Sequence, residues 1–191
     1  MTVEQVNVTQ RVPIVGAAKP ADFAAAGTRI LFDRCSATGD SVFYIAVGAS
    51  EQGPNVALNC VFHGNGQVQP HQRWSTGLLV DSCQVPEGGI DLMNRGEMGS
   101  GHGWTMGWGV AWNNVAKSYL IQMPPASANW AIGNRGEQLL DKMPAFEPGP
   151  VLPLLPRGII ESQGTLVAPA SLYLEQLRER LGPQALKNIG Y

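Results

Sequence analysis

The segment Leu78-Leu79-Val80-Asp81-Ser82-Cys83 is one of four similar hexapeptides in this chain of 191 residues. In each of them, alternating apolar residues predict a short strand, and the Asp or Asn that follows predicts a turn. These Asp and Asn residues are separated by 26, 22 and 32 positions. A strand, a bend and a return that recur at this spacing predict a parallel β-solenoid. The other three hexapeptides are Ile30-Leu31-Phe32-Asp33-Arg34-Cys35, Val56-Ala57-Leu58-Asn59-Cys60-Val61 and Val110-Ala111-Trp112-Asn113-Asn114-Val115.

The composition excludes several classes of protein. The chain is 44% hydrophobic and 15% charged, which favours a folded domain over a disordered chain. It contains 23 Gly and 14 Pro, which favours many short elements joined by turns over a helix bundle. A net charge of -2 without a basic cluster argues against nucleic-acid binding. No apolar run has the roughly 18 residues of a membrane span, and no signal-peptide pattern is present.

The two parts of the chain differ in character. Residues 1–142 contain the predicted coils, and 143–191 contain a Pro-rich covering segment followed by a helix. Ser171 is the predicted N-cap of that helix, Leu172–Leu181, and Gly182 follows its end. Because the terminal coils of a solenoid expose edges and core, we expect this helix to act as a cap. Only four coils are evident, which suggests the hypothesis that the chain is the C-terminal part of a longer solenoid.

The three cysteines predict neither a zinc site nor a complete disulfide framework, because their number is odd and no CxxC pair occurs. Cys35 and Cys83 occupy the same point of the repeat. We therefore expect them to be buried small side chains and not catalytic thiols.

Candidate catalytic residues lie between 71 and 102. Arg73 follows Asn59 by fourteen residues, and Arg95 follows Asp81 by fourteen, so the two arginines are predicted neighbours in adjacent coils. Two alternatives remain open: they face an anionic ligand, or Glu87, Asp91 or Glu97 neutralises them internally. His71 and His102 are the candidate proton-transfer groups. The alternative for His102 is that it only orders its glycine-rich loop.

Candidate sugar-binding residues are concentrated in the same region and just after it. Aromatic side chains offer flat apolar surfaces on which the C–H face of a pyranose can pack. Trp112 occupies an apolar position of the repeat and is predicted to lie in the core. No HxH or HExxH spacing indicates a metal site. The predicted binding residues are Trp74, Trp104, Trp108, Asn94, Asn129, Trp130 and Arg135.

Two kinds of cleavage chemistry place different demands on these residues. A glycoside hydrolase needs paired carboxylates, for which Asp91 and Glu97 are the candidates. A lyase that acts on a uronate-containing polysaccharide needs a cation to neutralise the substrate carboxylate and a base to remove the neighbouring proton. Arg73 and Arg95 fit the first role, and His102 or His71 fits the second. Elimination is therefore better supported than hydrolysis, and a non-catalytic glycan-binding or adhesin solenoid is the alternative.

Several strings in about half of the chain resemble the pectate-lyase-like superfamily of parallel β-helix proteins, within a group of secreted microbial proteins. The resemblance implies a right-handed β-helix, a polysaccharide partner and an extracellular or periplasmic location. The chain lacks the Trp-Ile-Asp-His signature and an acidic cluster for calcium, so no cofactor is predicted. The strings are Gly53-Pro54-Asn55-Val56, Pro70-His71-Gln72-Arg73-Trp74-Ser75-Thr76-Gly77, Asn94-Arg95-Gly96, Gly99-Ser100-Gly101-His102-Gly103-Trp104, Asn129-Trp130-Ala131-Ile132-Gly133 and Ser171–Gly182.

Overall fold

The computed structural model describes residues 1–12, 19–141 and 154–191. It confirms the predicted all-β parallel solenoid, which has about six turns and is followed by a C-terminal helix. The strands are β1 Thr2–Glu4, β2 Asn7–Thr9, β3 Ala21–Ala25, β4 Ile30–Asp33, β5 Ser36–Thr38, β6 Phe43–Val47, β7 Gln52–Leu58, β8 Val61–His63, β9 Gln67–Val68, β10 Ser75–Asp81, β11 Gln84–Leu92, β12 Met106–Gly107, β13 Gly109–Trp112, β14 Val115–Ile121, β15 Asn129–Ile132, β16 Arg135–Gln138 and β17 Ile159–Glu161.

Two parallel sheets form the walls of the solenoid. The first, face A, has the strand order β1-β4-β7-β10-β13-β15-β17, and β12 also pairs with β10. The second, face B, contains the remaining strands, so each coil begins on face A and continues on face B. The helices are a single turn, α1 Met98–Gly101, and the C-terminal α2 Leu172–Leu181 and α3 Pro183–Asn188. Within the described residues, no helix has the length and apolar character needed to span a membrane.

The coil register corrects the predicted repeat by one residue. Asp33 pairs with Leu58, Leu58 pairs with Asp81, and Asp81 pairs with Trp112. Asn59 and Asn113 therefore lie one position after the place of Asp33 and Asp81. Their φ angles are 50° and 52°, in the left-handed region where Asn is favoured among residues with a Cβ. The sequence pattern treated Asp and Asn as equivalent, but only the residue after the strand turns in this way.

We call this two-residue turn between face A and face B the tight corner. Its second position is held in successive coils by Cys35, Cys60, Cys83, Asn114 and Asn134. All three cysteines are buried and free, as predicted for Cys35 and Cys83. The pKa of the Cys35 thiol is raised by its hydrogen bond with Cys60 and by burial, so it is a poor nucleophile. The cysteines thus belong to the core.

The two asparagines continue the cysteine ladder with hydrogen bonds instead of thiol packing. Asn114 Oδ1 accepts from the Cys83 backbone N–H at 2.8 Å, and Asn114 Nδ2 donates to the Val80 carbonyl at 2.9 Å. Asn134 Oδ1 accepts from the Asn114 backbone N–H at 2.8 Å. Each buried amide therefore satisfies backbone groups of the preceding coil, as buried polar groups require.

The solenoid interior is filled by inward-facing side chains stacked from coil to coil. On face A, Phe32, Ala57 and Val80 are in register and buried. On face B, the rings of Tyr44 and Phe62 stack with centroids 4.9 Å apart. Burial of each large apolar side chain contributes about 2 kcal/mol, so the core supplies the main driving force for folding.

The C-terminal segment, 162–191, runs back along the tight corner, and we call it the strap. Asn113 Nδ2 donates to the Val167 carbonyl at 2.8 Å, and Ser171 Oγ donates to Asp81 Oδ2 at 2.8 Å. At the end of the strap, Tyr191 Oη donates to Asp33 Oδ1 at 2.5 Å. The strap therefore contacts the fifth, fourth and second coils in turn.

The strap shows the outcome of two predictions, the N-cap of α2 and the position of Trp112. Ser171 is the N-cap of α2, as predicted, and its hydroxyl accepts from the Leu174 N–H. Trp112 is not in the core: its side chain is on the outer surface, where Nε1 donates to the Pro169 carbonyl at 3.0 Å. The reason is that Trp112 is in register with Asp81, whose side chain also faces the strap. Most of the predicted Pro-rich covering segment lies outside the described residues.

Candidate functional site

Successive coils are joined by a connection that runs from the end of face B to the next strand of face A. This connection is longer and more variable in length than the tight corner. We call it the loop edge; the loops of this edge that lie wholly within the described residues are 26–29, 48–51, 69–74, 93–105 and 122–128. The longest of these five has 13 residues, and it is the insertion predicted from the 32-residue gap in the repeat. Loops 69–74 and 93–105 bring His71, Arg73, Arg95 and His102 together, although the chain separates them by up to 31 positions.

Loop 93–105 is held by bonds to its own backbone and to its neighbours. The Asn94 N–H donates to Gln122 Oε1, and Asn94 Oδ1 accepts from the Gly96 N–H, both at 2.7 Å. The Arg95 N–H donates to the Gly103 carbonyl at 2.8 Å, which closes the loop on itself. Asn94, a predicted sugar-binding residue, is therefore a residue that shapes the loop.

The two histidines form a close pair. Their ring centroids are 4.8 Å apart, and His102 is only 8% exposed. His102 Nδ1 is buried and has no hydrogen-bond partner among the described residues. Burial lowers the pKa of His102, and the positive charge of Arg95 lowers it further; the same two causes lower the pKa of His71. Both rings are therefore neutral at pH 7, the state in which imidazole can accept a proton.

Arg95 is bound within the protein. Its Nη1 donates to the His71 carbonyl at 2.6 Å, and its guanidinium carbon lies 5.2 Å from the centre of the Phe43 ring. Burial lowers the pKa of Arg95, and the negative charge of the buried Asp91 opposes this shift. The alternative of internal neutralisation thus fits Arg95, with Asp91 as the neighbouring acid and not Glu87 or Glu97.

Arg73 is the exposed arginine of the pair. Its Nη1 donates to the Gly101 carbonyl, and its backbone N–H donates to the His102 carbonyl at 2.9 Å. The charges of Arg73 and Arg95 both lower the pKa of His102, so the two arginines are close to the same ring, as the coil spacing predicted. Arg73 is the one whose guanidinium can reach a ligand from solvent.

Beside the histidines and arginines lies an aromatic surface of two exposed tryptophans, Trp74 and Trp108, and the half-buried Trp130. We call these three residues the tryptophan platform. The rings of Trp108 and Trp130 are stacked, with centroids 5.8 Å apart and planes inclined by 29°. Trp108 is 53% exposed and Trp74 is 38% exposed. A Cβ atom at Gly107 would lie 3.5 Å from the Trp74 ring, so Trp74 adjoins the backbone that carries Trp108.

The remaining predicted binding residues have other surroundings. Trp104 is half-buried within loop 93–105, where it forms a bridge with Asn94. Asn129 is fully buried: Nδ2 donates to the Met106 and Gln122 carbonyls, and Oδ1 accepts from the Gly109 N–H. Both the oxygen and the nitrogen of its amide are therefore used in backbone hydrogen bonds, and the side chain does not reach a ligand. Arg135 is exposed at the tight corner, away from the loop edge, because its strand begins there.

The carboxylates do not form an accessible pair at this site. Asp91 is fully buried and accepts from Gln69 Nε2 at 2.8 Å, whereas Glu97 is exposed in loop 93–105. This arrangement counts against the hydrolase alternative, which needs both groups at the substrate. In the described parts of the chain, no group of three or more His, Cys, Asp and Glu side chains is arranged to hold a metal ion.

Two residues that support the histidines and arginines were not identified from the sequence. Phe43 packs its ring against the Arg95 guanidinium, and Gln69 donates a hydrogen bond to Asp91. Phe43 lies in an apolar strand and carries no local signal that separates it from the core. Gln69 lies two residues before His71, and this closeness to a candidate site residue is the one local signal for it.

Comparison of the chain with protein-family models, with curated proteins and with solved structures gave no match. The geometry of the loop edge and of the tryptophan platform is therefore the evidence for function.

Proposed function

We propose that this solenoid binds an acidic, uronate-containing polysaccharide on the tryptophan platform. The observation that carries the proposal is the exposed stack of Trp108 on Trp130. The stacked indoles present an apolar surface on which the C–H face of a sugar ring can pack. Because an exposed aromatic patch of this kind does not contribute to the core, it is typical of a binding surface.

The backbone of Trp108 supports the same proposal. Its φ angle is 56°, in the left-handed region that bulky residues avoid at a cost of about 1–3 kcal/mol. The Trp108 N–H donates to the Ala128 carbonyl at 2.7 Å, which holds this conformation. An exposed indole retained at a strained position is consistent with a role in binding.

Charge favours an acidic glycan over a neutral one. Arg73 directly precedes Trp74 in the chain, and its guanidinium is suited to carboxylates. The resemblance to pectate-lyase-like proteins points to the same ligand class and to an extracellular or periplasmic location. A glycan-binding or adhesin module is the simplest form of this function.

Cleavage by β-elimination is a second candidate function, favoured by the neutral histidine pair next to Arg73. In this reaction, Arg73 would pair with the sugar carboxylate and acidify the adjacent C–H group. The more accessible imidazole, that of His71, would take the proton, the C–H electrons would form the C=C bond, and the glycosidic oxygen would leave and be protonated by solvent. Burial and the positive charge of Arg95, which lower the pKa of His71, would keep that ring neutral and able to accept the proton.

Binding is tested by calorimetry with polygalacturonate, alginate and glucuronan, and with their carboxyl-reduced counterparts as neutral controls. We expect Trp108→Asn and Trp130→Ala each to weaken binding about tenfold, because each removes one aromatic contact. Asn tolerates the left-handed conformation of position 108, so the fold is retained. Arg73→Gln should reduce binding of the acidic polymers only, and Arg135→Gln is the matched control. Unchanged binding in both tryptophan variants would contradict the proposal.

Elimination is tested by following ultraviolet absorbance of the new C=C bond together with a reducing-end assay. A rise in both signals that is lost in Arg73→Gln and in His71→Gln would support the lyase function. Reducing ends without absorbance would indicate hydrolysis. Silence in both assays with retained binding would identify a non-catalytic module.

A further inference from the structure

A groove separates α2 from the outer surface of face A. Its volume is about 440 Å³, within the range of small-molecule sites. The floor is a ladder of outward-facing apolar residues in register, Leu31, Val56, Leu79 and Val110. Since neighbouring strands are about 4.8 Å apart, these four positions span about 14 Å. The groove is therefore elongated along the solenoid axis.

The helix forms the wall of this groove without closing on the floor. Leu172 and Leu177 line it, yet no residue of α2 is buried. The helix is fixed at its start, where Asp81 Oδ2 accepts from Ser171 Oγ and from the Tyr173 N–H. An apolar helix face normally packs directly on an apolar sheet face. Here the anchored helix leaves space between the two.

The charge of the groove is positive. Among its lining residues, the charged ones are Arg29 on the floor side and Arg180 on the helix, and none is acidic. Neither arginine forms an ion pair with another residue of the described chain, and both are exposed. Two carboxylates near the lining Tyr173 are engaged with other groups: Asp33 is paired with Arg34 at 2.8 Å, and Asp81 accepts from Ser171 Oγ and the Tyr173 N–H. A ligand with carboxylates along an apolar body fits this lining.

The groove is continuous with the tryptophan platform. Trp108 lines its end at the fifth coil, and Trp130, in register with Val110, extends the same line to the sixth coil. We propose that the acidic polysaccharide passes from the platform into this groove, where Arg29 and Arg180 bind the carboxylates of the sugars beyond Trp108. This inference rests on the proposed function and adds a specificity-determining extension to that site.

The test measures binding of galacturonate oligomers of increasing length and of the same oligomers after carboxyl reduction. The double variant Arg29→Gln/Arg180→Gln should bind long acidic oligomers about tenfold more weakly, because two exposed charge pairs are lost, and should bind the reduced oligomers unchanged. The loss should disappear for oligomers too short to extend past the platform. Arg178→Gln is the matched control, because Arg178 lies on the same helix but pairs with Glu175 and does not line the groove.

A second variant tests the groove by shape. Leu177→Trp, on the exposed wall, should fill the space and weaken binding of long oligomers, with short ones unaffected. If both groove variants bind long acidic oligomers as the unmodified protein does, while Trp108→Asn binds weakly, the groove inference is overturned and the platform function stands. If the unmodified protein binds none of the oligomers, the proposed function fails and the inference fails with it.

Discussion

The tight corner and the loop edge are both turns repeated in every coil, yet they differ in almost every respect. The tight corner has two residues per coil. Its asparagines form hydrogen bonds with one another and with the strap. The five loops of the loop edge that are described in full have between 4 and 13 residues each. Three of its residues, Arg95, His102 and Ser127, carry a buried polar atom without a partner among the described residues, against Arg34 alone at the tight corner.

This difference separates stability from function. Buried polar groups that are fully satisfied stabilise one structure, whereas unsatisfied groups beside exposed aromatic residues are typical of a site. Function concentrates in loops carried by a rigid scaffold, and here one edge of each coil is the scaffold and the other is the site. Paired substitutions, one at the tight corner and one at the loop edge, therefore test whether the first serves stability and the second serves function.

The largest effect is expected for Asn114→Ala at the tight corner. The substitution leaves the Cys83 N–H and the Val80 carbonyl without their partner in a buried region, so we expect the free energy of unfolding to fall by about 3 kcal/mol. Urea denaturation followed by circular dichroism measures this loss. At the loop edge, Asn94→Ala should cost less than about 1 kcal/mol, because Asn94 is partly exposed. Equal losses would remove the distinction between the two sides.

Two glycines with positive φ sharpen the comparison. A Cβ atom at Gly133, at the tight corner, would overlap Asn113 Oδ1 and lie 3.0 Å from Val167 of the strap. At Gly103, in loop 93–105, it would meet nothing within 4 Å. We expect Gly133→Ala to cost about 2–3 kcal/mol and Gly103→Ala about 1 kcal/mol, since only the first adds a clash to the backbone strain. Thermal unfolding of both variants tests this, and a costlier Gly103→Ala would contradict it.

The smallest effect is a pH dependence at the loop edge. The folded protein lowers the pKa of His71 and His102 below the unfolded value of about 6.5. Their contribution to stability is therefore complete above that pH and is lost as the pH falls through the lower, folded values. The free energy of unfolding, measured between pH 8 and pH 5, should decrease toward acid. His71→Gln/His102→Gln should flatten this decrease, and a variant with the unmodified slope would exclude the histidines as its source.

The fold was predictable to a large extent because its signals are local. Alternating apolar residues predicted the strands, Ser171 and Gly182 predicted α2, and the long gap in the repeat predicted loop 93–105. The neighbourhood of Arg73 and Arg95 was predicted from their equal distance to Asn59 and Asp81, although these two residues differ by one position in register. The strands before the two loops restore the spacing, because Val68 pairs with Ile90 and each lies five residues before its arginine. The exact register did not follow, because Asp and Asn both favour turns in sequence, and only the pairing of strands shows that Asp33 ends its strand whereas Asn59 follows its strand.

The candidate site was predictable only in part, since burial depends on the whole coil stack. Asn129 and Trp130 are neighbours in one strand, yet one points into the framework and the other stacks on Trp108. Trp112 resembles a core residue in the repeat and instead contacts the strap.

The amino-acid sequence by itself determined a parallel β-solenoid, buried cysteines at the turns, a C-terminal helix and the long loop that carries Arg95 and His102. Periodicity and turn chemistry act over a few residues, so they are visible in the chain. The tertiary structure alone decided where the helix lies, which arginine is neutralised and which tryptophans stack. These outcomes depend on contacts such as Tyr191 with Asp33, 158 positions apart, and on the desolvation that those contacts impose.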